Sequence, residues 1–285
     1  MEGQRPISWY PGHMAKAKRL LETQLKRVDI VLELCDARLP LSSRNPALDA
    51  LIAHKPRLLL LNKEDLADPG ATRLWEKRFR DLGLQVIAIQ AGKSRQRILK
   101  LVEGMTEEKR QRAQARGIAV TSRAMVVGVP NVGKSTLINA LAGRSAMKTQ
   151  DRPGITRAPQ WIKAGERLEL LDTPGMLWPK LDDQKAARRL AYIAAIRDEV
   201  LDTYHLAIGL LDELMAIAPQ KVLARYKLSD INLRGQALLE AICLARGFLQ
   251  KGNSYDLDRG AACVLDEFRG GLIGRITLEM PEEGP

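Results

Sequence analysis

Gly128-Val129-Pro130-Asn131-Val132-Gly133-Lys134-Ser135 fits the pattern G-x-x-x-x-G-K-[ST], and its surroundings are those the pattern requires. A short apolar run, Ala124 to Val127, precedes it, and a helical pattern from Lys134 to Leu141 follows. Two glycines let a chain turn tightly from strand to helix, so that backbone N–H groups and the helix N-terminus face one point in space. That geometry suits the phosphates of a nucleotide. Lys134 would neutralise the β and γ charges, the Ser135 hydroxyl would ligate Mg²⁺, and Val132, Gly133 and Thr136 would add backbone or hydroxyl contacts.

Downstream, Asp172-Thr173-Pro174-Gly175 ends the apolar run Leu168 to Leu171, 37 residues after Ser135. A carboxylate there reaches the metal through water, and the Gly175 N–H can meet a γ-phosphate. Between the two motifs, Pro153-Gly154-Ile155-Thr156-Arg157 places a threonine that could complete the metal shell. The expected metal set is Ser135, Thr156 and Asp172. Upstream, Asn62-Lys63-Glu64-Asp65 follows the apolar run Leu58 to Leu61. Alone, N-K-x-D is a polar turn as readily as a binding loop. Behind a buried strand in a chain that carries a phosphate loop, it is the guanine-reading pattern. Asp65 would accept from N1–H and the exocyclic amine of guanine, a pair adenine cannot offer. Gln90-Ala91-Gly92-Lys93, after Val86 to Ile89, falls where the base loop of a GTPase contacts the guanine oxygen, with Gln90 in the place of the usual serine. The base motifs here precede the phosphate motifs, whereas in a Ras-like order they follow them. The sheet is therefore expected to be circularly permuted, joined through residues 93–123.

Short apolar runs at Ile30 to Leu34, Leu58 to Leu61, Val86 to Ile89, Ala124 to Val127 and Leu168 to Leu171 alternate with helical patterns at 46–54, 69–82 and beyond 93. That alternation predicts an α/β fold with a parallel sheet flanked by helices. A helix over Lys16 to Arg27 would present Leu20, Leu21, Leu25 and Val28 inward. From about residue 180 only helical spacing remains. The expected division is a permuted P-loop GTPase domain over 1–178, with a basic extension over 1–27, and a smaller all-α domain over 179–285.

Of the 285 residues, 45% are hydrophobic and 28% charged, which makes a globular chain with a full core. Three scattered cysteines exclude a disulfide framework and point to a reducing compartment. No apolar run nears the ~20 residues that span a bilayer, and the first residues lack a signal-peptide core, so a cytoplasmic protein without membrane attachment is expected. The net charge is +11, divided as +13 over residues 1–175 and −2 over 176–285. The excess serves either solubility or a polyanion held by the first part. Aromatic residues at 4% argue against a base-stacking platform and for shape and phosphate contacts.

Further stretches carry a specific likeness. They are Trp9-Tyr10-Pro11-Gly12-His13-Met14-Ala15-Lys16-Ala17, Asp36-Ala37-Arg38-Leu39-Pro40, Ser42-Ser43-Arg44-Asn45-Pro46, Asp266-Glu267-Phe268-Arg269 and Leu272-Ile273-Gly274-Arg275-Ile276. With the nucleotide motifs, they make the chain resemble the ribosome biogenesis GTPase A family, the YlqF-type circularly permuted GTPases, over nearly its whole length. The resemblance implies a GTPase that binds precursors of the large ribosomal subunit and their rRNA, is stimulated by them, and leaves after hydrolysis. A GTP-gated RNA-binding module with incidental hydrolysis is the alternative, favoured by Met176 where Ras-type enzymes carry a water-orienting glutamine. The resemblance also implies a catalytic role for His13, against packing within an RNA-binding N-terminus, and a K⁺ held near Asn131, against a loop-shaping role. The acidic helical part would touch RNA through local residues such as Arg269 and Arg275, or else meet ribosomal protein. A monomer is expected.

Overall fold

The computed structural model describes residues 19–118, 120–143, 160–173, 183–196 and 201–281. Six strands form one sheet in the order β3-β2-β1-β4-β6-β5: β1 (Ile30–Asp36), β2 (Arg57–Asn62), β3 (Gln85–Ile89), β4 (Ser122–Gly128), β5 (Gln160–Lys163) and β6 (Leu168–Asp172). All pairings are parallel except β5 with β6. The expected parallel sheet is thus present, with one antiparallel strand added at its edge. In β5 only Ile162 is buried, and four residues with one inward side chain give no periodicity to read.

Alternate residues of the strands serve two helical layers. Val31, Leu59, Leu61, Met125, Val127 and Leu171 face the described part of α1 (19–25), α2 (Pro46–Ile52) and α3 (Pro69–Asp81). Ile30, Leu32, Leu34, Leu58, Leu60, Ala124 and Val126 face α4 (Arg95–Gln114) and α5 (Lys134–Ala142). Because both faces are covered, these strands read as continuous apolar runs rather than alternating ones. In α1, Leu21 and Leu25 are buried with the following Val28, as the spacing predicts, but Leu20 is exposed. Helix α3 opens with Asp68 accepting from the Ala71 N–H at 2.9 Å, with Pro69 in the first turn, a start that satisfies one orphan donor and pre-sets the backbone.

The remaining helices are α6 (Gln184–Tyr192), α7 (Thr203–Ile217), α8 (Pro219–Tyr226), α9 (Gly235–Arg246) and α10 (Leu257–Arg269). Asp183, Asp202 and Asp256 cap α6, α7 and α10 through side-chain oxygens. Their buried faces, among them Leu190, Leu210, Leu214, Leu239, Ile242, Val264 and Phe268, join the sheet layer in one contiguous apolar cluster. Each such buried side chain contributes about 1.5–3 kcal/mol.

The connection from β3 returns through α4 to β4, which lies on the far side of β1 from β2. The chain therefore runs outward from β1 in one direction and from β4 in the other. At such a point the loops that leave the carboxyl ends of the two strands diverge and open a crevice.

Candidate nucleotide site

Strand register assembles the crevice. Asp36 stands opposite Asn62, Asn62 opposite Ile89, Leu34 opposite Gly128 and Val126 opposite Asp172. The motifs far apart in sequence thus leave the sheet at one edge. Asn62 joins three of them. Its Nδ2 donates to Val132 O in the phosphate loop at 2.8 Å, and its Oδ1 accepts from the Ala91 N–H in the base loop at 2.9 Å. Lys63 adds a second tie, donating from Nζ to Asn131 O at 3.0 Å. Lys63 and Asn131 both hold left-handed backbone, at φ 60° and 59°, a conformation that non-glycine residues adopt at some cost where a site requires it.

The glycines of the phosphate loop are required by contact as well as by φ. A Cβ on Gly128 would lie 2.6 Å from Leu34 O, and one on Gly133, at φ 103°, would collide with the Asn62 amide. Lys134, buried at the first position of α5, donates to Gly128 O at 3.2 Å and Val129 O at 2.9 Å. Burial pushes its ammonium down to about 8, and the nearby Asp172 carboxylate partly opposes that shift. Asp172 ends β6 fully buried, and the next residue, Thr173, donates from Oγ1 to Val126 O at 2.7 Å. Ser135 and Thr136 follow in the first turn of α5, half-buried and exposed respectively.

Asp65 is exposed at the mouth of the crevice, where Gln90 Nε2 donates to its Oδ2 at 3.3 Å. Glu64 contributes backbone: its N–H donates to Ile89 O at 3.2 Å. Of the expected site residues, Asn62, Lys63, Glu64, Asp65, Gln90, Ala91, Asn131, Val132, Gly133, Lys134, Ser135, Thr136 and Asp172 come together at this edge. His13, Thr156 and Gly175 lie outside the described residues.

Two further residues of the site, Asp36 and Arg38, lie outside the nucleotide motifs, in the Asp36-Ala37-Arg38-Leu39-Pro40 stretch. Asp36, at the carboxyl end of β1, places Oδ2 3.1 Å from Lys63 Nζ and accepts from Arg38 Nε and Nη2 at 2.9 and 2.8 Å. Burial alone would raise the Asp36 carboxyl, but the charges of Arg38 and Lys63 and the Arg38 hydrogen bonds hold it well below the usual carboxylate range. Arg38 donates onward from Nη1 to Phe268 O at 2.8 Å and stacks over the Phe268 ring. A carboxylate ending a central parallel strand was the available signal.

A doubly covered, largely parallel sheet with its phosphate loop on β4 and its base-reading motif on the earlier β2 defines a circularly permuted P-loop GTPase. Such a protein binds and hydrolyses GTP. A family model described as 50S ribosome-binding GTPase matches residues 123–233. Ribosome biogenesis GTPase A of Bacillus cereus is 47% identical over 280 residues, covering 97% of this chain and 95% of that one. Its counterpart in Thermotoga maritima is 31% identical, with coverage of 97% and 95%. The solved GDP-bound structure of a protein titled TM YlqF superposes with a TM-score of 0.67 at 27% identity, over 93% of this chain and 100% of that one. The chain belongs to the ribosome biogenesis GTPase A family.

Proposed function

We propose that this GTPase is an assembly factor for late maturation of the large ribosomal subunit, whose hydrolysis is stimulated by the subunit and drives its own release. The observation that carries the site is Asn62, which bridges the phosphate loop and the base loop through both ends of its amide. In this reading Asp65 selects guanine, the backbone of Glu64, Gln90 and Ala91 borders the base, and Lys63 lies along it. The loop from Asn131 to Thr136 holds the phosphates, and Gly175 senses the γ-phosphate.

Ser135, Asp172 and Thr156 would hold Mg²⁺. Hydroxyl and carboxylate oxygens are the hard donors that cation takes, and the buried Asp172 carboxylate beside Lys134 fits the set. When bound, the cation neutralises charge on the β and γ oxygens. His13 would orient or polarise the attacking water, in place of the glutamine whose position Met176 occupies. The Asn131 side chain would help hold a K⁺ that offsets charge between those phosphates.

The charge of +13 over residues 1–175 supports a polyanionic partner gripped by the GTPase part, and the relatives' names support a ribosomal one. A domain boundary near 178 would let the segment after Gly175 lead directly into the helical part. Among the described residues no helix is long and apolar enough to cross a membrane.

The test is GTP turnover in K⁺ buffer with large subunits, with small subunits, and with neither. Stimulation by large subunits alone is expected, with loss in His13→Ala at unchanged GTP affinity and slower turnover when Na⁺ replaces K⁺. No stimulation by either subunit would move the assignment to a GTP-gated RNA-binding module or to a different RNA partner. Equal turnover in His13→Ala would remove the histidine from the reaction, and equal rates in the two salts would remove the K⁺.

A further inference from the structure

Residues 275–279 cross directly over the loop that carries Asp65. The Ile276 N–H donates to Leu66 O at 3.1 Å, the Asp68 N–H donates to Thr277 Oγ1 at 3.1 Å, and the Leu278 N–H donates to Arg38 O at 2.9 Å. Beyond them the Glu279 carboxylate accepts from the Leu41 N–H at 2.7 Å, while Trp75 Nε1 donates to Glu279 O at 2.8 Å. At the near end stands Arg275. Its Nη2 donates to Glu64 O at 2.8 Å and its Nε to Ala67 O at 2.9 Å. Its own carbonyl accepts from Lys221 Nζ of α8 at 2.6 Å.

The two carbonyls gripped by the guanidinium bracket Asp65. Glu64 O belongs to the peptide that leads into Asp65, and Ala67 O closes the same turn, in which the Leu66 N–H donates to Lys63 O at 2.9 Å. A planar fork on two carbonyls fixes direction as well as distance, which a point charge cannot do. The Arg275 residue is exposed, so its hydrogen bonds add little to folding. Their effect falls on the orientation of the turn they hold. The Asp65 carboxylate itself is exposed and reaches Gln90, so its aim depends on the backbone beneath it.

We propose that Arg275 is a positioning residue for guanine recognition, holding the 64–67 turn so that the Asp65 carboxylate meets the base edge. The proposal rests on the assignment of Asp65 as the guanine-reading group. It makes the helical part of the chain a component of base selectivity, since Arg275 is itself held by α8. It also gives the Leu272-Ile273-Gly274-Arg275-Ile276 stretch a role as a clasp on the 64–67 turn.

The test is the dissociation constant of GDP and of inosine diphosphate, which lacks the exocyclic amine, for the full-length wild type, Arg275→Ala, Arg275→Lys and Asp65→Asn. The wild type is expected to favour GDP about tenfold, the equivalent of one hydrogen bond to a charged group. In Arg275→Ala, GDP binding should weaken about three- to tenfold and inosine diphosphate, which keeps N1–H but lacks the amine, by less, so the ratio falls toward unity. Arg275→Lys, able to reach one carbonyl of the two, should lie between. A wild-type ratio retained in Arg275→Ala, with Asp65→Asn losing it, would overturn the positioning role and leave Asp65 in place. Equal loss of both nucleotides in Arg275→Ala would also overturn it. Guanine preference retained in Asp65→Asn would overturn the assignment of Asp65, and the proposal with it.

Discussion

Lys134 shows how one residue ties the fold to ligand affinity. The phosphate loop buries its ammonium and surrounds it with carbonyls of Gly128 and Val129. Desolvation disfavours the charged form, so the group titrates at about 8, against about 10.4 in an unfolded chain. For folding, the charged lysine is a cost that is present below the folded value and relieved as pH rises between the two values. For binding, the sign is opposite. If Lys134 holds the phosphates as proposed, a triphosphate needs the ammonium, so above the folded value each binding event must take up a proton. GTP affinity is expected to be flat below pH 8 and to fall about tenfold by pH 9. Calorimetric titration across that window checks it. A Lys134→Gln variant, titrated alongside, removes the lysine's proton and leaves only the ionisation of the nucleotide. An unchanged wild-type affinity from pH 7 to 9 would place the lysine's titration above the window.

At the scale of elements, the turn from β4 into α5 is the joint on which the crevice depends. Gly133 holds φ 103°, and a methyl group there would strike the Asn62 amide that bridges the two loops. Gly133→Ala is therefore expected to cost about 1–3 kcal/mol of stability and to weaken GDP binding by more than that loss explains, because Asn62 must move. Chemical denaturation set beside GDP titration would show it, and undiminished GDP affinity would exclude the coupling. The same turn explains what was legible in the sequence. A phosphate loop is local: its glycines, lysine and following helix are consecutive, so residues 128–136 could be read directly. Strands β1 to β4 and β6 were legible because each is buried on both faces and leaves an apolar run. Strand β5 was not, because Gln160–Lys163 buries only Ile162 and pairs at the sheet edge. The clasp at 275–279 was equally illegible. Nothing in the sequence pairs Arg269 or Arg275 with a distant backbone, yet Arg269 donates to Tyr192 O and Ala191 O at 3.1 and 3.0 Å, and Arg275 to Glu64 O and Ala67 O at 2.8 and 2.9 Å. Contacts made some 77 to 211 positions away leave no periodic trace.

For the whole molecule, the decisive contact is Arg38. It is 1% exposed and stands between the nucleotide crevice and the helices. On one side it pairs with Asp36, which holds Lys63 of the base motif; on the other it donates to Phe268 O and Arg269 O at the end of α10. Arg269 in turn binds carbonyls at the end of α6, a helix that begins shortly after the segment expected to sense the γ-phosphate. Cations at two helix C-termini also complement the negative ends of their dipoles. The crevice, α10 and α6 are therefore held by one polar chain, buried at Asp36 and Arg38 and part-buried at Arg269, rather than by apolar contact alone. Such a chain is costly to break from one end. Replacing Arg38 with methionine keeps much of the volume but leaves the Asp36 carboxylate in the interior with Lys63, and it strips donors from the two carbonyls. The expected loss is about 3–5 kcal/mol, or a melting temperature lower by roughly 10 °C for a chain of this size. Arg225→Met is the appropriate comparison, since it also removes an arginine from a carboxylate. There Glu267 keeps Arg246 at 2.7 Å, and the pair is partly exposed, so the loss should stay within about 1 kcal/mol. Thermal unfolding of both variants, with and without GDP, separates the cases. If Arg38 joins the crevice to the helices, GDP should raise the melting temperature of Arg38→Met less than that of the wild type or Arg225→Met, because the ligand then stabilises a part from which the helices are loosened. Equal shifts in all three would confine Arg38 to local packing.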